Sequence, residues 1–308
     1  MGTRVVRLGT RGSALARAQT GLMARALVEA HPEVEIEIVT ISTSGDRSQG
    51  TNQPGADWGT GVFVKELESA LLREDIDLAV HSLKDVPPII SSELTLAAIP
   101  VREDPLDVLV TTDGRGLEDL APGIRVGTSS ARRAAFLRAS RPDLQFVPIR
   151  GNVETRLRKL ADGQYEAIVL ARAGLHRLEL DAAYVVLEPE LLPPAPGQGA
   201  LAIESRAGDR EIIALVEALH DPATAAAVRA ERRLMADLEG GCRLPIGALG
   251  TPRQEGGLHL LGGLASEDGT LSVAAATGRL DAPEELADQL AVRLRSPGAG
   301  EQRRVIYA

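Results

Sequence analysis

The sequence predicts an α/β protein: two strand–helix units that echo one another, followed by a smaller α+β unit. Three observations predict it. Short apolar runs alternate with helical spacing as far as Glu204, the pattern of strands joined by crossover helices. Gly9-Thr10-Arg11-Gly12-Ser13-Ala14 is echoed by Gly127-Thr128-Ser129-Ser130-Ala131. Beyond Ile246, alternating strands separated by glycine turns replace that pattern.

The elements follow in order. Arg4 to Leu8 reads as a strand, Thr10 to Ser13 as a turn, and Ala14 to Ala30 as a helix with Ser13 at its N-cap. Val34 to Ile41 alternates apolar and polar residues, as a half-buried strand does. Thr43 to Gly61 is a long glycine-rich loop, and Val62 to Arg73 returns to helical spacing. Ile76 to Val80 is a compact strand, and His81-Ser82-Leu83-Lys84-Asp85-Val86-Pro87 follows it. Ligands of open α/β sheets collect at such strand ends, and the proline pair Pro87-Pro88 rules out a regular helix there.

Leu94 to Ile99, Val108 to Val110, Ile124 to Gly127, Gln145 to Arg150 and Ala167 to Leu170 read as further strands. Helices start after Ser130 and Asn152, and a short one spans Arg172 to Leu178. Leu191 to Gln198 is proline-rich and reads as a hinge, with Ala200 to Glu204 a strand returning to the first unit. Asp209 to Leu219, Thr224 to Leu238 and Pro283 to Leu294 read as helices. Ile246 to Leu249, Leu258 to Ala265 and Leu271 to Thr277 read as strands, and Ser296 to Ala308 as a loose tail. The expected domains are 1–99 with 200–219, then 100–199, then 220–308.

Composition narrows the function. One cysteine excludes an internal disulfide, and five scattered histidines have no metal-ligand spacing, so no metal is expected. No apolar run approaches the ~20 residues of a membrane helix, and Arg17 and Gln19 break the first one too early for a signal peptide. A cytoplasmic protein without membrane contact is expected. Of 34 basic residues only Lys65, Lys84 and Lys159 are lysines. From Arg125 to Arg177 eleven basic side chains face four acidic ones, a local +7 in a chain of net −9. That contrast points to a local anion site. Nucleic acid is not the expected anion, because aromatics are 2% of the chain, too few for base stacking. Arg132, Arg133, Arg150, Arg156 and Arg177 all fall at or just after strand-to-helix junctions, where forked side chains and free backbone N–H groups suit carboxylates as well as phosphates.

The lone cysteine stands in Leu238-Glu239-Gly240-Gly241-Cys242-Arg243-Leu244-Pro245. Two glycines ahead of it permit a tight, forward-pushed loop, and Arg243 favours the reactive thiolate. Such a turn is a poor place to bury a small hydrophobe, so Cys242 reads as a covalent attachment point.

These motifs resemble the porphobilinogen deaminase (hydroxymethylbilane synthase) family. The likeness rests on Thr10-Arg11-Gly12-Ser13, Phe63-Val64-Lys65-Glu66-Leu67-Glu68, His81 to Pro87, Gly127 to Ser130, Arg150-Gly151-Asn152-Val153-Glu154-Thr155-Arg156, Pro196-Gly197-Gln198-Gly199-Ala200 and Leu238 to Cys242. It runs in family order along essentially the whole chain. The resemblance implies two type II periplasmic-binding-protein-like domains around a cleft, plus a smaller C-terminal α+β domain that presents the cysteine. It implies a monomeric transferase of tetrapyrrole and heme biosynthesis that condenses four porphobilinogen molecules, releases ammonia at each step, and hydrolyses off the linear hydroxymethylbilane. It further implies a covalent dipyrromethane cofactor, held as a thioether on Cys242.

By the same resemblance Asp85 is the catalytic acid–base group, stabilising cationic pyrrole intermediates. Lys84, Ser129, Ser130, Arg132 and Arg133 hold the cofactor, and Arg11, Ser13, Phe63, Arg150, Arg156, Arg177 and Gln198 hold substrate. The chemistry fits, since every pyrrole unit carries an acetate and a propionate. One departure is Gly59-Thr60-Gly61-Val62-Phe63, where the family often has Gly-Lys-Gly-Leu-Phe. A second reading is a non-catalytic two-lobed small-anion-binding protein, since a fold does not by itself fix a function.

Overall fold

The computed structural model describes residues 4–42, 64–239, 244–265, 270–295 and 301–304. In chain order the elements are β1 (Arg4–Arg11), α1 (Ala14–Ala30), β2 (Val34–Ile41), α2 (Lys65–Leu72), β3 (Leu78–Ser82), β4 (Leu94–Ala98), β5 (Asp107–Thr111), β6 (Arg125–Gly127), α3 (Ala131–Ser140) and β7 (Gln145–Val147). There follow α4 (Val153–Ala161), β8 (Ala167–Ala171), α5 (Arg172–Arg177), β9 (Tyr184–Leu187), β10 (Leu201–Arg206), α6 (Arg210–Val216), α7 (Pro222–Glu239), β11 (Ile246–Pro252), β12 (Gly257–Ala265), β13 (Thr270–Arg279), α8 (Pro283–Arg295) and β14 (Glu301–Arg304). The chain forms two compact units, Met1–Glu103 with Ala200–Ala225, and Asp104–Gly199 with Ala226–Ala308. Among the described residues no helix is long and apolar enough to cross a membrane.

The first unit is built on a five-stranded sheet ordered β2-β1-β3-β10-β4. β1 runs parallel to β2 and β3, while β10 is antiparallel to both of its neighbours. Val6, Leu8, Leu78, Val80, Leu201 and Ile203 supply its core with Leu27 of α1. Ser13 caps α1 as expected, its hydroxyl accepting from the Ala16 N–H. The strand before it is longer than the sequence suggested. Ladder pairing of Thr10 and Arg11 with Thr40 and Ile41 outweighs the turn propensity, and the turn shrinks to Gly12-Ser13.

The second unit contains a five-stranded sheet ordered β7-β6-β8-β5-β9, in which β5 is the antiparallel member. Position by position the two sheets match. In each, the fourth place is taken by the strand that follows a passage of the chain from one unit to the other: β5 after residue 103, β10 after residue 199. The return of β10 to the first sheet was expected; β9 escaped the sequence reading.

A four-stranded antiparallel sheet, β11-β12-β13-β14, completes the second unit. Leu234 and Leu238 of α7 and Leu286, Leu290 and Leu294 of α8 cover one face, against Leu258, Leu260 and Leu264. Ala265 and Leu271 instead join the core around Phe136 and Leu192. Part of the expected tail is a strand, because Glu301–Arg304 pairs with β13 and extends the sheet.

Candidate active site

In the first unit the sequence motif His81 to Pro87 is split between two conformations. His81 and Ser82 end β3, and Leu83–Asp85 make a single 3-10 turn, which the following prolines stop. Leu83 is buried and fixes the turn, and its N–H donates to the Ala200 carbonyl at the start of β10. Lys84 and Asp85 are thereby left half-buried just past the C-terminal end of the sheet's central strand. Asp85 borders a cavity of about 20 Å³ with Arg11, Gln19, His81 and Ser82. Ser82 Oγ donates to Gln19 Oε1 at 3.1 Å. Among the described residues no hydrogen bond or ion pair engages the Asp85 carboxylate. Ser13 stands at the start of α1, two residues beyond Arg11.

In the second unit the arginines sort into two kinds. Arg132 and Arg133, in the first turn of α3, close on Asp107 of β5. Arg132 donates to Asp107 Oδ2 at 2.7 Å and to the Pro193 carbonyl at 2.6 Å. Arg133 donates to Asp107 Oδ1 through Nε at 3.0 Å and a terminal nitrogen at 2.6 Å, and to the Val169 carbonyl at 2.7 Å. Gln198 donates to the Pro105 carbonyl at 2.7 Å and to Asp107 Oδ1 at 3.1 Å. Burial alone would raise the Asp107 carboxyl, but the charges of Arg132 and Arg133 overcome it and hold it at about 2. Only part of each fork is left for a ligand, and Gln198, 1% exposed, belongs to the same cluster. Asp107 was missed in the sequence because its partners lie 25 and 26 residues away; a lone Asp opening an apolar strand was the one available sign.

Arg150 and Arg156 are the other kind. Arg150 is exposed, and among the described residues its guanidinium has no acidic partner. Arg156 donates through Nε to the Gly151 carbonyl at 2.8 Å, and it too has no acidic partner there. Burial, and secondarily the charge of Arg133, pulls its pKa down to about 10. Arg177 donates to the Gly199 carbonyl at 2.6 Å. Ser129 Oγ donates to the Ile149 carbonyl at 2.7 Å and accepts from the Ile149 N–H at 3.1 Å, tying two loops of the sheet together. Ser130 caps α3 and Asn152 caps α4, each side chain accepting from a first-turn N–H. Cys242, Phe63 and Thr60 lie outside the described residues.

A family model described as "Porphobilinogen deaminase, dipyromethane cofactor binding domain" matches residues 6–214, and one described as "Porphobilinogen deaminase, C-terminal domain" matches 225–296. The chain belongs to the porphobilinogen deaminase family. Curated proteins named porphobilinogen deaminase agree. One from Syntrophobacter fumaroxidans is 46% identical over 285 residues, covering 92% of this chain and 87% of the relative. One from Sorangium cellulosum is 50% identical over 264 residues, covering 85% and 87%. One from Thermus thermophilus is 45% identical over 300 residues, covering 97% and 98%. Membership in the porphobilinogen deaminase family decides between the two readings in favour of the enzyme: a transferase of tetrapyrrole biosynthesis, with porphobilinogen as substrate and a dipyrromethane cofactor.

Proposed function

We propose that Asp85 is the acid–base residue of this transferase, that Cys242 carries the dipyrromethane as a thioether, and that the arginines of the second unit hold pyrrole carboxylates. The observation that supports it best is the Asp85 carboxylate, which no partner among the described residues engages, on a turn fixed by buried Leu83 beside Arg11 and His81. The donor set fits a dipyrromethane. Arg156 is a desolvated cation without an acid beside it among the described residues, and an acetate or propionate carboxylate would supply one. Arg150 offers a second fork and Lys84 and Ser130 further donors; Ser129, whose hydroxyl is bonded to Ile149, holds the loops that present Ser130 and Arg150; Arg11, Ser13 and Arg177 complete the set. Arg132 and Arg133 contribute what Asp107 leaves of their forks, with Gln198 placing that acid. Phe63 is assigned to pack against a pyrrole ring.

When bound, the dipyrromethane supplies the free pyrrole carbon on which the chain grows. At each condensation the substrate amine leaves as ammonia, and the ring carbon that gains the new bond loses a proton. A carboxylate can accept that proton at an oxygen, and until then its negative charge stabilises the cationic ring and accepts pyrrole N–H bonds. Among the described residues nothing occupies either Asp85 oxygen, which leaves both for this work. The thiolate form of Cys242 is the soft nucleophile a thioether link requires.

Asp85→Asn tests the assignment. The folded protein with cofactor attached should keep its melting temperature and lose at least ~100-fold in kcat. Near-parental turnover in that variant refutes the role. Intact-mass measurement of denatured protein checks Cys242: it should exceed the sequence mass by one dipyrromethane, and Cys242→Ala should not. We also infer a cytoplasmic monomer that does not bind nucleic acid; light scattering at micromolar concentration should return the 32.5 kDa of one chain.

A further inference from the structure

Beneath Asp85 lies a pair of ionisable side chains that the proposed chemistry does not use. His81 in β3 and Glu204 in β10 sit on adjacent antiparallel strands, and His81 Nε2 donates to Glu204 Oε2 at 3.0 Å. Their side chains are 3% and 0% exposed. The other carboxylate oxygen, Oε1, is buried and has no hydrogen-bond partner among the described residues. Glu68 of α2 faces the same pair: burial and then repulsion by Glu204 push its carboxyl up, against His81 and Lys65.

This arrangement is poor for stability. Taking a carboxylate out of water is costly, and a half-satisfied buried network is worse than an apolar one. The surroundings are apolar: on the face of the sheet that His81 and Glu204 share, Ala79 is buried in a cluster with Leu67, Ala70 and Leu71 of α2. An aliphatic pair would suit the fold better, so the His–Glu pair calls for another role. Its location supplies one. His81 borders the same small cavity as Asp85 and Arg11. Asp85 stands four positions after His81, past the end of β3 and at the close of the 3-10 turn.

We propose that His81, fixed by Glu204, is a positioning residue for Asp85: it sets the wall of this cavity and so holds the carboxylate in the orientation in which it takes up the ring proton. The proposal rests on the assignment of Asp85 made above. It is tested on the cofactor-loaded enzyme, loading being checked by intact mass, with kcat, KM and melting temperature measured together. Glu204→Leu removes the acceptor. It should melt at or above the parental temperature, keep KM within about two-fold, and lose roughly 10- to 100-fold in kcat, the scale of a small misplacement of a reacting group. Glu204→Gln still accepts from His81 and should recover most of that loss.

A folded, fully loaded Glu204→Leu protein with kcat within about two-fold of parental overturns the proposal, since a purely structural pair would move melting and not turnover. Should Glu204→Leu fail to fold, His81→Asn, too short to keep the bond to Glu204, takes its place under the same criteria. Asp85→Asn, run in parallel, separates the two assignments. If it stays active, the role of Asp85 falls and this proposal with it. If it is inactive while Glu204→Leu is normal, only the positioning role falls.

Discussion

Asp107 shows what a single buried acid does here. Its carboxyl is held at about 2 against an ordinary 3.8, a difference worth roughly 2 kcal/mol of folding free energy. Because the folded value is the lower one, that contribution is complete above about pH 4 and fades as pH falls toward 2. Asp107→Asn leaves two buried guanidinium groups without their counter-charge, and should cost about 3 kcal/mol at pH 7 by urea unfolding, with the gap to parental closing in acid. Arg156 should behave oppositely. It is a desolvated cation repelled by Arg133, so Arg156→Gln should leave the melting temperature unchanged or raised while kcat/KM drops. Arg150→Lys keeps the charge and loses the fork; a raised KM in steady-state assays is the expected result. The sequence showed the arginines as a set. It did not show that two are tied to a strand residue 25 and 26 positions earlier, because burial and long-range pairing leave no local trace.

Among the elements, those with chemical punctuation were the legible ones. Ser13, Ser130 and Asn152 are N-caps, each with a side chain accepting from the first turn, and each is the type of residue that signals a helix start. Ser13→Ala should cost about 1 kcal/mol in thermal unfolding, and Ser13→Asp should restore it. Strand ends were read less well, because partners decide them. β1 runs on to Arg11 because β2 pairs with it throughout, and β14 forms where composition showed only a tail because β13 offers it an edge. The close approach of β1 to the apolar layer was also hidden. A Cβ on Gly9 would lie 2.3 Å from Ile76 Cδ1 and 3.3 Å from the Leu78 carbonyl. Gly9→Ala should therefore destabilise by ~1–3 kcal/mol, measured by denaturant midpoint.

For the molecule as a whole, alternating periodicity predicted two echoing α/β units and an α+β unit, and the described residues form three sheets. What periodicity could not give is that two sheets share one strand order, with an antiparallel strand in the same place in each. The first unit depends on this. Without β10, β3 and β4 have no common neighbour, and Leu201 and Ile203 are missing from the core. A fragment of residues 1–103 should thus be largely unfolded by circular dichroism. Adding the segment 200–225 in trans should recover native-like structure in proportion to its concentration.

The interposed strand also sets a timetable for biosynthesis. A ribosome reading this message has laid down every strand of the second α/β sheet once it passes Leu187, whereas the first sheet lacks its fourth strand until Arg206. The half encoded earlier is finished later. For the interval between, its nascent strands wait with an open edge, the moment when a holding chaperone has most to protect.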